Sequence, residues 1–155
     1  MRPASIAVLG AGSWGTALAI HLARNGSAVA LWGHAADQVE ALRRDQENRH
    51  YLPRIAFPAA LTPTGDLGGA LNAADEVLVV VPSHAFAEVC TRIAELRPGL
   101  ERLSWATKGF DPASGGLLSD VAAGCLPGCS LAVISGPTFA GEVARGLPTA
   151  ITVAA

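Results

Sequence analysis

The chain has 155 residues, enough for one domain with a single buried core. Half of its residues are hydrophobic and only 15% are charged, which excludes a disordered chain. A formal net charge of -2 at pH 7 gives no electrostatic reason to expect a nucleic acid partner, and no apolar run reaches the roughly 20 residues that span a bilayer.

Residues 6–9 form a short apolar run cut off by Gly10 and Gly12. That pattern suits a first strand buried on both faces better than a signal peptide, and the expected location is the cytoplasm. Residues 16–24 carry Leu18, Leu22, Ala19 and Ala23 at the spacing of a helix packed on a sheet, closed by Asn25-Gly26. Residues 28–32 predict the second strand, which completes a βαβ unit within about thirty residues. A helix is expected over residues 37–45. Residues 48–63 predict a Pro-containing stretch with at most a short strand near Leu61, and residues 66–73 a short helix. Val77 to Val81 are five apolar β-formers without polar alternation, the signature of a central parallel strand. Helix over 85–96, strand over 102–106, helix over 117–123, strand over 131–135, helix over 139–145 and strand over 149–155 complete the alternation. Such an order predicts an α/β fold, a doubly wound, mainly parallel sheet flanked by helices. Because the last residues read as an apolar strand without a cap, a longer parent protein is expected.

The chemistry starts at Gly10-Ala11-Gly12-Ser13-Trp14-Gly15. A G-x-G-x-x-G string alone is weak, but here it follows a predicted strand and opens a predicted helix, the context of a Rossmann-type dinucleotide site. Gly10 permits the tight turn, Gly12 lets backbone approach a pyrophosphate, and Gly15 lets the helix pack closely. The helix N-terminus then offers N–H groups and partial positive charge to the phosphates. The second strand ends in Trp32-Gly33-His34-Ala35, with no acid until Asp37. A carboxylate at that point would hold the ribose of NAD and repel the 2′-phosphate of NADP, so its absence leaves room for NADP. His34 either meets the adenine or that phosphate, or is a solvated loop residue.

Lys108 is the sole lysine among 11 basic residues and follows a strand in Trp105-Ala106-Thr107-Lys108-Gly109. An ammonium at the carboxyl edge of an open α/β sheet can contact a phosphate or a carbonyl oxygen. Ser135-Gly136-Pro137-Thr138-Phe139-Ala140 reads as another strand-to-helix turn, with Pro137 at the first helical position and Gly136 and Thr138 presenting polar groups there. Val81-Pro82-Ser83-His84 is a third turn at the same edge, a wall for a nicotinamide. Cys90, Cys125, Cys129 and the four histidines show no metal-ligand spacing, so no metal is expected and the cysteines read as small hydrophobes.

These motifs, in order and spacing and through to the last residue, resemble the bacterial NAD(P)-dependent glycerol-3-phosphate dehydrogenase family. Such enzymes interconvert dihydroxyacetone phosphate and sn-glycerol 3-phosphate for phospholipid synthesis. The resemblance implies that Ser13, Trp14, His34 and Ala140, with Tyr51, contact NAD or NADP beside the glycines. It implies that Lys108 reaches both cofactor and substrate, and that Gly136 and Thr138 contact substrate. Position 33, often basic in the family, is Gly here. The family's proton acceptor is a further lysine in a helical second domain, which also supplies an Arg-Asn pair for the substrate phosphate. With Lys108 the only lysine, the resemblance puts that acceptor outside these residues, and the isolated chain is expected to bind cofactor without turnover. It also implies a homodimer for the full-length protein. Two other readings stand beside it: a related two-domain reductase of a 3-hydroxy acid or 2-ketoacid, and a non-catalytic module that couples NAD(H) binding to a partner protein.

Overall fold

The first apolar run forms strand β1 (Ser5–Leu9), in which Ala7, Val8 and Leu9 have no exposed surface. Its side chains alternate between two cores, Ala7 and Leu9 on one face, Ile6 and Val8 on the other. Burial on both faces is why the run shows no polar alternation. The computed structural model, which describes residues 3–155, continues with helix α1 (Ser13–Arg24), β2 (Ala28–Trp32) and α2 (Ala36–Asp45). A hairpin of β3 (Glu47–Asn48) and β4 (Leu52–Ala56) precedes β5 (Leu61–Thr64) and α3 (Leu67–Ala73). Then come β6 (Glu76–Val79), α4 (Ser83–Leu96), β7 (Arg102–Trp105) and α5 (Leu118–Cys125). The described residues close with β8 (Ser130–Ser135), α6 (Ala140–Ala144) and β9 (Thr152–Ala154).

Seven strands make one sheet in the order β5-β2-β1-β6-β7-β8-β9. The chain runs outward from β1 to β2 and β5, then returns to pair β6 on the other side of β1, so the strand order reverses between β1 and β6. At the foot of that junction the N–H and hydroxyl of Ser5 both donate to the Asp75 carboxylate, at 2.9 and 2.8 Å. One face of the sheet packs on α3, α4 and α5, with Leu71, Phe86 and Ile93 fully buried; the other packs on α1 and α6 through Ile20, Ala17 and Ala144. The arrangement is the doubly wound α/β fold that the alternation of elements predicts.

Three local expectations change. Helix α1 begins three residues earlier than its periodicity indicates, because its first turn holds Gly15, a poor helix former, beside Ser13 and Thr16. The stretch expected to be almost irregular contains the antiparallel β3–β4 hairpin. The last strand pairs antiparallel to β8. A parallel return needs a crossover that spans the sheet. The five-residue α6 rises only about 7.5 Å, against about 20 Å for six-residue β8. Among the described residues, no helix is long and apolar enough to cross a membrane.

Candidate functional site

Trp32, Leu9, Val79, Trp105 and Val133 form one row across β2, β1, β6, β7 and β8. That register fixes where the next residues emerge, at the carboxyl edge where ligands of such sheets bind. A cleft of about 570 Å³ opens there. It is lined by residues 10–15 after β1, Val80, Val81 and Pro82 after β6, Ala106, Thr107 and Lys108 after β7, and Thr138, Phe139 and Ala140 at the start of α6. On the β2 side it is lined by Trp32, His34, Gln38 and Tyr51. Turns far apart in sequence are thus brought to one cavity.

The three glycines of the loop are glycines for different reasons. Gly10 has φ +125° and any side chain there would press into the Val80 carbonyl. A side chain on Gly15 would strike the carbonyl oxygen of Gly10. Both are demanded by the fold itself. Gly12 has an ordinary φ of -78°, and nothing lies within 4 Å of where its Cβ would sit. The fold does not require glycine there, and the open position borders the cleft.

The cleft beside that position suits an anion. Helix α1 has no side-chain cap and no acid in its first turn, and its first internal bond is Thr16 N–H to the Gly12 carbonyl at 3.0 Å. The earlier N–H groups therefore lack helical acceptors and face outward with the positive end of the helix dipole. No Asp or Glu lines the cleft, whereas Lys108 and His34 do. Both are exposed. Lys108 also borders a second cavity of about 340 Å³ with Gly109, Leu117, Ser119 and Ser135. Two contacts shape its loop. The buried Thr107 hydroxyl donates to the Val81 carbonyl at 2.8 Å, and the buried Asp111 carboxylate accepts the Ser114 hydroxyl and N–H at 2.7 and 2.9 Å. The Ser114 hydroxyl bond holds the Asp111 carboxyl below its usual range, against the opposing effect of burial.

The third turn differs from its sequence reading. Pro137 is not the first helical residue, because α6 starts at Ala140. The Thr138 N–H is spent on the Gly136 carbonyl at 2.9 Å, and among the described residues the buried Thr138 hydroxyl has no hydrogen-bond partner. An orphan hydroxyl at a cleft wall calls for a partner from the cleft. Gly136 does not line the cleft. A Cβ on it would meet the Ala150 carbonyl at 2.5 Å and the Ile151 Cα at 3.2 Å, so the approach to β9 explains that glycine. Ser83 and His84 also stand off the cleft, leaving Val81 and Pro82 as the wall.

Sequence reasoning missed Gln38 and Asn48, which hold the glycine loop from behind: Gln38 Nε2 and Asn48 Nδ2 both donate to the Ala11 carbonyl, at 2.9 and 3.0 Å. Neither sits in a recognisable motif. Tyr51, 48% exposed, stands edge-on to His50 at 4.4 Å. The cysteines are all free and none lines the cleft; Cys90 has no exposed surface, and burial pushes its thiol up to about 12. Among the described residues no group of His, Cys, Asp or Glu gathers to hold a metal ion.

Residues 5–155 match the family model of the NAD-dependent glycerol-3-phosphate dehydrogenase N-terminus. The chain is 56% identical over 149 residues to a glycerol-3-phosphate dehydrogenase (NAD(P)+) of Xanthomonas oryzae, covering 96% of this chain and 44% of that protein. To the Serratia proteamaculans enzyme of the same name it is 54% identical over 153 residues, covering 97% and 45%. The crystal structure of glycerol-3-phosphate dehydrogenase from Coxiella burnetii superposes with a TM-score of 0.93 at 45% identity, covering 99% of this chain and 47% of that one. The chain spans a little under half the length of the relatives it matches.

Proposed function

Because this chain belongs to the N-terminal family of NAD-dependent glycerol-3-phosphate dehydrogenases, we propose that its cleft binds NADH or NADPH and serves reduction of dihydroxyacetone phosphate to sn-glycerol 3-phosphate. The observation that carries this reading is the unexplained space at Gly12, beside a helix end with no anion of its own. A pyrophosphate fits there, against the N–H groups of Ser13, Trp14 and Gly15. We take the adenosine half to lie on the β2 side, with His34 and Tyr51, and the nicotinamide half beside Val81, Pro82, Lys108 and Ala140, a reading that the strand order and the cleft lining support. No acid among the cleft residues opposes a 2′-phosphate, which supports use of both cofactors.

When bound, the cofactor supplies the hydride. The chain's own residues hold and orient. Lys108, between the two cavities, attracts the substrate's oxygens, and the Thr138 hydroxyl offers a hydrogen bond from the facing wall. Gly136, off the cleft, reaches substrate only through its backbone. Proton transfer to the substrate oxygen we assign to a lysine of a helical second domain in the whole protein, which we take to be a cytoplasmic homodimer supplying glycerol 3-phosphate to phospholipid synthesis. The sole lysine at position 108 supports an acceptor elsewhere, and the names of the relatives support the dehydrogenase activity of the whole protein.

Titration with NADH and NADPH is expected to quench tryptophan fluorescence saturably, since Trp14 and Trp32 line the cleft. Gly12→Val fills the open space and is expected to abolish quenching while the variant stays folded. A folded parent chain that shows no quenching, or a Gly12→Val chain that binds as well as the parent, overturns the reading. Mixed with NADH and dihydroxyacetone phosphate, the 155-residue chain is expected to leave NADH absorbance unchanged. A turnover of about 1 s⁻¹, at the low end for enzymes, would show that the proton donor is already present.

A further inference from the structure

We propose that Asn48 is a positioning residue for the dinucleotide: it pins the Ala11 carbonyl and thereby turns the Gly12 N–H into the cleft. The inference rests on the dinucleotide reading and concerns how the site keeps its shape.

Asn48 lies on the two-residue strand β3, outside every recognised motif, yet it is one of the most deeply buried polar residues, 2% exposed. Its amide is fully used. Nδ2 donates to the Ala11 carbonyl at 3.0 Å and to Thr16 Oγ1 at 2.8 Å, and Oδ1 accepts the Tyr51 N–H at 3.2 Å. Only an amide brings two donors and an acceptor to that spot; an aspartate would set a third oxygen against two oxygens, and a leucine would take the Asn48 bond from all three partners. Gln38 Nε2 adds a second donor to the Ala11 carbonyl at 2.9 Å, so both of its lone pairs are occupied.

The consequence follows from peptide geometry. Among the described residues no peptide bond is cis, so the Gly12 N–H points opposite to the Ala11 carbonyl across a planar unit. With the carbonyl anchored to α2 and the hairpin, the N–H faces away from them, toward the cleft that Gly12 lines. The clamp is needed because of what the ligand requires. Gly12 must lack a side chain, and a glycine beside the peptide makes a flip cheap. A flipped unit would present a carbonyl oxygen to the pyrophosphate. Asn48 and Gln38 forbid that flip, and through the Tyr51 N–H the same amide ties the β2-side wall to the loop.

The test uses the ¹⁵N-labelled chain, with NADH as the ligand and the Gly12 amide resonance as a readout that needs no ligand. Asn48→Ala is expected to weaken NADH binding about tenfold, as loss of a buried hydrogen bond to a loop peptide implies, and to displace the Gly12 resonance of the free chain. Gln38→Ala, a half-buried residue, is expected to do both more weakly, and decides the matter alone should the Asn48 variant fail to fold. Unchanged affinity in folded Asn48→Ala overturns the proposal. So does weakened affinity with an unmoved Gly12 resonance, which would make Asn48 a mere hairpin plug. A parent chain without affinity for NADH overturns the dinucleotide reading instead, and the Gly12 resonance then still decides whether the clamp sets the loop.

Discussion

Gly15→Ala is expected to cost at least about 3 kcal/mol, the upper range for overpacking, and so to leave little of the roughly 5–15 kcal/mol that holds a domain folded. The added methyl meets the Gly10 carbonyl oxygen, which is backbone and cannot swing aside as a side chain would. Moving that oxygen moves Gly10, whose amide donates to the Trp32 carbonyl at 2.9 Å and whose Cα already abuts Val80. One methyl therefore loosens the junctions of β1 with both neighbours. Gly12→Ala, three residues away, is expected to change stability by no more than about 1 kcal/mol, the scale of an N-cap exchange partly offset by a stiffer unfolded chain. Urea unfolding of the two variants measures the contrast. Equal losses would mean that the loop relaxes as a unit and that the distinction between the glycines is wrong.

Phe86→Ala is expected to destabilise the chain by about 3–5 kcal/mol, the range for emptying a large buried aromatic site. Phe86 has no exposed surface and stands edge-on to Trp105, with ring centroids 5.8 Å apart. It sits in the first turn of α4, directly behind Pro82 and Val81, while Trp105 ends the strand that leads to Lys108. The cavity would therefore open beneath two walls of the cleft. Urea unfolding gives the magnitude, and the fluorescence of Trp105 reports the local loss of packing. A cost under about 1 kcal/mol would show that α4 collapses onto β7 and fills the space.

Much of this was legible in the sequence because it rests on short-range rules. The apolar run at Val77-Leu78-Val79 needed no tertiary knowledge to be placed at the centre of the sheet, and β6 lies there. The glycine string, Lys108 and the turn before Ala140 could be assigned to one edge because each follows a strand, and the structure gathers them around one cleft. What escaped has physical reasons. The β3–β4 hairpin is too short and too polar to show a period, contains Pro53, and depends on left-handed backbone at two residues that are not glycine, Gln46 at φ 50° and Arg54 at φ 66°. Asn48 looks like a loop residue until folding buries it against Ala11 and Thr16, more than thirty positions earlier. The helix expected over residues 139–145 is there, but Pro137 does not open it: the residue satisfies the local rule for a first helical position, while the chain uses it in the turn before α6, packed against the approach to β9.

The bond between Ser5 and Asp75 joins residues 70 positions apart, and its meaning is kinetic. Strand β1 is made first, but its second neighbour, β6, arrives only after three helices, a hairpin and two further strands. Closing so long a loop is entropically slow, and parallel sheets of this kind fold late for that reason. On a ribosome the glycine loop would emerge early and wait, with Gly10 lacking the Val80 backbone that confines it. The β2 side of the cleft is thus in the chain long before the wall of residues 80–140, and the cleft is complete only once the second half of the sheet docks against the first.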